Sequence, residues 1–354
     1  VSIDLSIVIP STSRPELLGK CLDALTAHRP PGSEVIVIDD GSPQAIIAQV
    51  AIRRGATVHR FNRRGGFARA ANAGLRLARH EIVELLNDDT EVTSHWWEAA
   101  CRRFSDPCIA AVAPLVLQLT SGSNAVRVDS AGDNYYFGGI ASKSHHGQKI
   151  TEVDCRAHEV FGASACAAFY RRKAVLNVGG FPEHFGAYFE DVDLAFRLHR
   201  ARYRLIFEPS SRVWHHGGSS YGEPRGSLAV QMSRNEELVF WRNLPATDLY
   251  HALPRHLAVL GAKMLRRTVE GTLMPFMWGR LTALRLLADI LRHRRMLAQS
   301  LPARSMDGWQ VQEAYPLPHA LAAIAKRLCS FGRTPACNAP VCPPRGLDKG
   351  FNLT

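Results

Sequence analysis

Four acidic or imidazole-bearing groups, far apart in the chain, could do chemistry. Asp39-Asp40 closes one apolar run and Asn87-Asp88-Asp89 closes another; Glu190-Asp191 opens a helical pattern, and His215-His216 follows Trp214. Asp39, at a strand end, could accept a hydrogen bond from a nucleobase imide or a ribose hydroxyl, although Asp-Gly-Ser after a strand is also ordinary turn chemistry. Asp89 offers the kind of oxygen that suits Mg2+ or Mn2+, but acidic pairs also cap helices and turns. A carboxylate at Glu190-Asp191 can take the proton of an attacking hydroxyl. The alternative is an acid favoured by the helix dipole, which suits Asp193 better, since Arg197 lies four residues on. A neutral imidazole at His215 is a good ligand for Mn2+. A loop histidine is usually just a surface residue, but Trp214 could anchor the strand end and Gly217-Gly218 leaves room for a ligand.

Such groups need a scaffold that brings strand ends together. Leu5–Ile9 reads as a buried strand ending at Pro10, followed by a helix with Leu17, Leu18, Cys21, Leu22 and Leu25 on one face and Pro15 near its start. Glu34–Ile38, Ala56–Phe61 and Glu81–Leu86 read as further strands, and Gly66–Ala78 as a helix. This alternation predicts an α/β fold with a mostly parallel sheet. Ligands of such sheets sit beyond the C-terminal strand ends, where Pro10, Asp39 and Asp89 all fall.

Farther on, the pattern predicts a helix over 94–105, a strand over 109–117, and loops with short strands over 118–156. Phe161–Tyr170 reads as a strand facing a pocket, Glu190–Arg202 as a helix, Leu205–Glu208 as a short strand and His215–Gly226 as a loop. Helical periodicity takes over from about residue 227, with Leu257, Leu260 and Met264 on one stripe and Leu281, Leu284, Leu287 and Leu291 on another. The expected organisation is a catalytic domain over 1–230, a helical C-terminal region over 231–330 and a loose Pro-rich tail over 331–354.

The chain has 354 residues, of which 46% are hydrophobic, enough for one large core. Eight cysteines without a CxxC pair fit buried reduced thiols in a cytoplasmic setting better than a zinc site or a disulfide scaffold. No apolar run is long enough for a spanning helix. The net charge is +11, and between residues 255 and 295 only Glu270 and Asp289 oppose a series of arginines. That segment either meets an anionic surface, as a peripheral contact on the inner face of a membrane, or is a solvated or oligomeric face. A nucleic-acid partner is not expected, because no stacking platform accompanies the charge.

The ordered set Leu5-Ser-Ile-Val-Ile-Pro10, Val37-Ile-Asp-Asp-Gly-Ser42, Asn72-Ala-Gly74, Leu86-Asn-Asp-Asp-Thr-Glu91, Val178-Gly-Gly-Phe181, Phe189-Glu-Asp-Val-Asp-Leu194 and Trp214-His-His216 resembles family 2 glycosyltransferases. Within them it is similar to the rhamnosyltransferase and galactofuranosyltransferase branch. The resemblance implies a GT-A fold, Rossmann-like, with a C-terminal helical appendage. It also implies inverting transfer of a rhamnose- or galactofuranose-like sugar, in surface glycan synthesis, to a saccharide or lipid-linked acceptor. The donor would be a nucleoside-diphosphate sugar, UDP or dTDP before GDP, and the cofactor Mn2+ or Mg2+. Carried over by position, Pro10, Ser11, Asp39, Arg69, Asn87 and Asp88 would meet the nucleotide, Asp89 and His215 the metal, Glu190 and Trp214 the acceptor, and Asp191 would be the base. Asn87 stands where the usual motif has an acid, and Ser11-Thr12-Ser13-Arg14 where the family often has Thr-Tyr-Asn. The competing expectation is a catalytically silent subunit that binds a nucleotide sugar or glycan.

Overall fold

The computed structural model describes residues 4–119, 126–154, 156–216, 226–301 and 305–312, all within one compact unit, Val1–Tyr315. The first half alternates strand and helix: β1 (Leu5–Ser11), α1 (Pro15–His28), β2 (Glu34–Asp39), α2 (Ile46–Arg53), β3 (Thr57–Arg60), α3 (Phe67–Leu77) and β4 (Ile82–Leu86). Then follow β5 (Thr90–Val92), α4 (Trp96–Arg103), β6 (Ile109–Gln118), and three short strands, β7 (Arg127–Ser130), β8 (Asp133–Tyr136) and β9 (Ile140–Lys143). The sheet is completed by β10 (His158–Glu159), β11 (Ala167–Arg171) and, after α5 (Arg172–Asn177) and α6 (Glu190–Arg200), by β12 (Arg204–His215). Four helices close the described chain, α7 (Gly226–Asn243), α8 (Ala246–Val269), α9 (Leu273–Arg285) and α10 (Leu287–Ser300), before a short β13 (Val311–Gln312).

The large sheet runs β10-β12-β6-β11-β4-β1-β2-β3, with β5 on β12 and β7 on β6. β1 pairs in parallel with both β2 and β4, whereas β11 is antiparallel between β4 and β6. The chain steps from β1 to β2 and β3 on one side, then returns to place β4 on the other. That reversal opens a crevice beyond the ends of β1 and β4, where open α/β sheets take ligands. Both faces of β1 are buried: Leu5, Ile7 and Ile9 pack with α1 and α4 residues, and Val8 with the alanines of α3. A strand covered on both faces needs a continuous apolar run, as Leu5–Ile9 supplies.

Gly74 sets the approach of α3 to the sheet, since a Cβ there would overlap Val8 Cγ1. Gly74→Ala is expected to destabilise the fold by about 1–3 kcal/mol through overpacking, read as a lower denaturation midpoint. A midpoint equal to the wild type would show that α3 can move away freely.

Two strands differ from expectation. The first half of Phe161–Tyr170 is not in the large sheet: Gly162 exchanges backbone hydrogen bonds with Asp133, and β11 starts only at Ala167. The strand expected over Leu205–Glu208 runs on to His215. A register shift between Glu208 and Arg212 takes Pro209 out of the pairing with β6. A bulge is where a strand tolerates proline, so the proline that ended the run in sequence interrupts only the register. His215 is therefore the last residue of a strand; the rest of the expected loop, 217–225, lies outside the described residues, as does the expected tail.

The helical region packs onto the rest through α7, which is buried between α6 and α9. The leucine stripe Leu281, Leu284, Leu287 and Leu291 does not join that core; all four side chains are exposed. Among the described cysteines, Cys21, Cys101 and Cys166 are buried thiols, while Cys108 is exposed.

Candidate active site

A cavity of about 430 Å³ lies at the crevice, a size typical of small-molecule sites. Its walls come from the end of β1 (Pro10, Ser11, Arg14), Asp40, the end of β4 (Asn87, Asp88), the β7–β9 insertion (Asp129, Lys143, His146), the segments 164–166 and 187–191, and His215. Of the residues expected at the site, Pro10, Ser11, Asn87, Asp88, Glu190, Asp191 and His215 line this one space.

Ser11 Oγ donates to Asp88 Oδ2 at 2.6 Å, tying together the two strand ends. Arg14 bridges the acidic pair, bonding Asp88 Oδ1 through Nη2 and Asp89 Oδ2 through Nη1 at 2.6 Å. Burial pushes Asp88 up to about 6 despite Arg14 and Ser11. Asp89 is also buried, yet His215 and Arg14 together hold it well below the carboxylate range. His215 sits between two carboxylates, with Nε2 3.3 Å from Asp89 Oδ1 and Nδ1 3.2 Å from Asp129 Oδ2. Burial opposes its charge, but Cys166 and the hydrogen bonds to Asp129 and Asp89 outweigh it and push the imidazole far above its ordinary value. Lys143 Nζ pairs with Asp129 Oδ2 at 2.6 Å.

Asp89 and His215 Nε2 could hold a divalent cation, with Asp129 on the opposite imidazole nitrogen. The donor atoms of Asp129, Cys166 and His215 lie within 4.8 Å of one another, and Asp89 meets the other face of the imidazole. Carboxylate and imidazole donors suit Mn2+ and Mg2+, whereas the soft sulfur of Cys166 does not favour them. Arg14 lies against Asp89, Lys143 against Asp129, and His215 against both.

Asp191, which also lines the cavity, accepts backbone hydrogen bonds from Val192 N at 2.9 Å and Ala165 N at 3.2 Å. Burial raises its pKa, and those bonds pull the other way. Glu190 is pushed up too, by burial and then by the Asp191 charge. Asp133 belongs to the same acidic group: burial and Asp191 raise it, and its Oδ2, like Glu190 Oε2, has no hydrogen-bond partner among the described residues.

The loop that delivers Glu190-Asp191 is strained, with Tyr188 and Phe189 at φ 69° and 68°, a region that non-glycine residues enter at a cost. α7 holds it. The buried Asn235 amide donates to the carbonyls of Phe185 (2.9 Å), Ala187 (3.0 Å) and Tyr188 (2.9 Å), and Gln231 donates to Ala187 O at 2.9 Å. Nothing local in the sequence marked Asn235, Arg14, Asp129, Asp133 or Lys143, because each acts on a partner at least ten residues away.

Four expected site residues do not line the cavity. Asp89 is buried against Arg14 and His215. Asp39 is buried behind the cavity, accepting from Ser42 N at 2.7 Å and Ser42 Oγ at 3.0 Å with Arg60 beside it. This is the turn chemistry, and its neighbour Asp40 reaches the cavity wall instead, binding Gly65 N and Gly66 N. Arg69 stacks on Phe61, 4.5 Å from the ring centre. Trp214 points the other way from His215, as alternation along a strand dictates, and lines a separate depression with Thr93 and Leu117.

Comparison with known proteins fits this geometry. A pre-mycofactocin glycosyltransferase of Mycobacterium tuberculosis is 32% identical over 216 residues, 60% of this chain and 42% of that one. An N-acetylglucosaminyl-diphospho-decaprenol L-rhamnosyltransferase of the same organism is 42% identical over 68 residues, 19% of this chain and 22% of that one. The chain thus spans less than half the length of these curated relatives. The structure of GalNAc-T7 with UDP, GalNAc and Mn2+ superposes with a TM-score of 0.55 at 15% identity, covering 67% of this chain and 48% of that one, so the two share the GT-A type of fold. Residues 6–179 match the family described as Glycosyl transferase family 2, and the chain carries a domain of that family.

Proposed function

We propose that the protein is a metal-dependent inverting glycosyltransferase that moves a sugar from a nucleoside diphosphate to a hydroxyl of a saccharide or lipid-linked acceptor. The observation that carries this reading is the single cavity lined by Asp191, Asp88 and His215 at the switch point of the sheet, with the buried Asp89 3.3 Å from the His215 imidazole. Ser11, Asn87 and Asp88 would receive the ribose and diphosphate. Asp89 and His215, with Asp129 against the second imidazole nitrogen, would hold Mn2+ or Mg2+, which would supply positive charge to the leaving diphosphate. Arg14 would then release one of its carboxylates.

Asp191 would accept the acceptor's proton as the hydroxyl oxygen bonds to the anomeric carbon. The bond from that carbon to the diphosphate oxygen breaks, and its electron pair leaves with the nucleoside diphosphate. One displacement inverts the carbon. A carboxylate raised by burial is a better base near neutrality than an exposed one, and Glu190 beside it would orient the acceptor. A rhamnose-like sugar is the finer reading that the rhamnosyltransferase relative supports; a galactofuranose-like sugar rests on the sequence resemblance alone.

Thermal stabilisation by UDP, dTDP and GDP, each with and without Mn2+, tests the donor site. One nucleotide should raise the melting temperature, and more so with Mn2+. His215→Ala should shift the Mn2+ titration of that stabilisation to roughly tenfold higher concentration, the loss typical of a disturbed metal site. An unchanged titration would remove His215 from the metal site.

A further inference from the structure

The helices beyond the sheet carry apolar side chains on two sides. The inner side of α9 (Phe276, Gly279, Ala283) is buried, with Gly279 packed close against Ser233 of α7. Its outer side presents Met274 (78% exposed), Trp278 (51%), Leu281 (46%) and Leu284 (58%). Positions 274, 278, 281 and 284 share one helical face. α8 repeats the pattern, with Ala252 and His256 inside and Tyr250, Leu257 and Leu265 outside; on α10, Ile290 and Leu297 are inside, and Leu287 and Leu291 outside. Of the sixteen exposed large apolar side chains among the described residues, eleven lie on these three helices. Such a concentration marks an interaction surface rather than scattered exposure.

Charge decides the occupant. Arg255, Arg266, Arg285, Arg292 and Arg295 are exposed on the same helices, and Arg285 stacks over Trp278 at 5.1 Å. A second copy would bring the same arginines to the contact. Residues 313–354 also carry an excess of positive charge, with Lys326, Arg327, Arg333, Arg345 and Lys349 against Glu313 and Asp348. An anionic lipid surface is complementary to both the arginines and the apolar stripes. Among the described residues no helix is long and apolar enough to cross a membrane, so the helices would lie in the plane of the interface.

We propose that the outer face of α8–α10 docks on a bilayer containing anionic lipid, its leucines, Met274 and Trp278 entering the acyl boundary and its arginines meeting headgroup phosphates. The proposal rests on this surface and not on the transfer reaction; it would bring the cavity to a membrane where a lipid-linked acceptor could be met.

Flotation of the full chain with vesicles tests it. The protein should float with phosphatidylcholine vesicles containing roughly one quarter phosphatidylglycerol, not with phosphatidylcholine alone, and high salt should release it. Trp278→Glu with Leu281→Glu should weaken binding about tenfold or more, with the melting temperature and nucleotide-induced stabilisation unchanged. Arg292→Glu with Arg295→Glu, which spares the apolar stripe, should weaken it as well. No flotation, equal flotation with neutral vesicles, or wild-type binding by both variants would overturn the proposal. So would a dimer in light scattering that the Trp278/Leu281 variant dissociates while vesicles capture neither protein. Loss of nucleotide binding with vesicle binding intact would count against the transferase reading alone.

Discussion

Asp191→Asn is expected to lower sugar transfer by about 10³-fold, within the range for loss of a general base, while nucleoside diphosphate with Mn2+ still stabilises the variant as it does the wild type. Asparagine keeps the size of the side chain, and its one amide oxygen can keep the shorter bond, from Val192 N at 2.9 Å, while the 3.2 Å bond from Ala165 N is given up; a melting temperature near the wild type's shows that the loop keeps its path. What disappears is the site that takes the acceptor's proton. The raised pKa of Asp191 adds a second signature: transfer should fall as the medium is acidified through that pKa, because the protonated acid cannot act as a base. Near-normal turnover by the variant would place the base elsewhere, with Glu190 and Asp133 as the neighbouring carboxylates to try next.

Asp193→Ala is expected to cost about 3–5 kcal/mol of stability, the range for removing one partner of a buried ion pair. The fully buried carboxylate accepts from Arg197 Nε at 2.9 Å and Asn243 Nδ2 at 2.7 Å, with Arg242 Nε 3.5 Å away. Alanine would leave two guanidinium groups without their counter-charge where α6 meets α7. Denaturant unfolding at pH 7 measures the loss. The pH dependence has a definite sign. Burial alone would raise the pKa of Asp193, but Arg242 and Arg197 hold it below its ordinary value. Its contribution is therefore complete above the unfolded value of about 3.9 and is lost as pH falls toward the folded one. The gap between wild type and variant should be full at pH 6 and smaller at pH 3. A gap that stays constant would mean that the cost comes from the cavity left by the side chain.

Much of the scaffold was legible because its strands are buried on both faces and its helices on one. Leu5–Ile9, Glu34–Ile38 and the alanine-rich segment around Asn72 have few other ways to bury their surface, and the structure places them within a residue or two of expectation. Asp193 with Arg197 was readable for a similar reason: their spacing is local, and the ion pair is present. The strand end at Pro209 was misjudged because a bulge depends on the register of β6, which no window around Pro209 contains. Asp39 illustrates a different limit. Asp39 and Asp40 are equivalent by type, and only alternation at the end of β2 decides that the first turns inward to Ser42 and the second toward the cavity. Asp129, Lys143 and Asn235 were invisible because their roles depend on contacts between distant segments. The outward stripes of α8–α10 show the converse: periodicity reveals that an apolar face exists, not which side of the helix is covered.

The match to the family ends at residue 179, whereas Asp191, His215 and the Asn235 that grips the Phe185–Tyr188 loop all come later. One amide on α7 thus makes the helical region a partner in the geometry of the acidic wall. A fusion joined at the end of β12 is therefore expected to lose that grip, whereas one joined beyond Asn243, which bonds Asp193, keeps it.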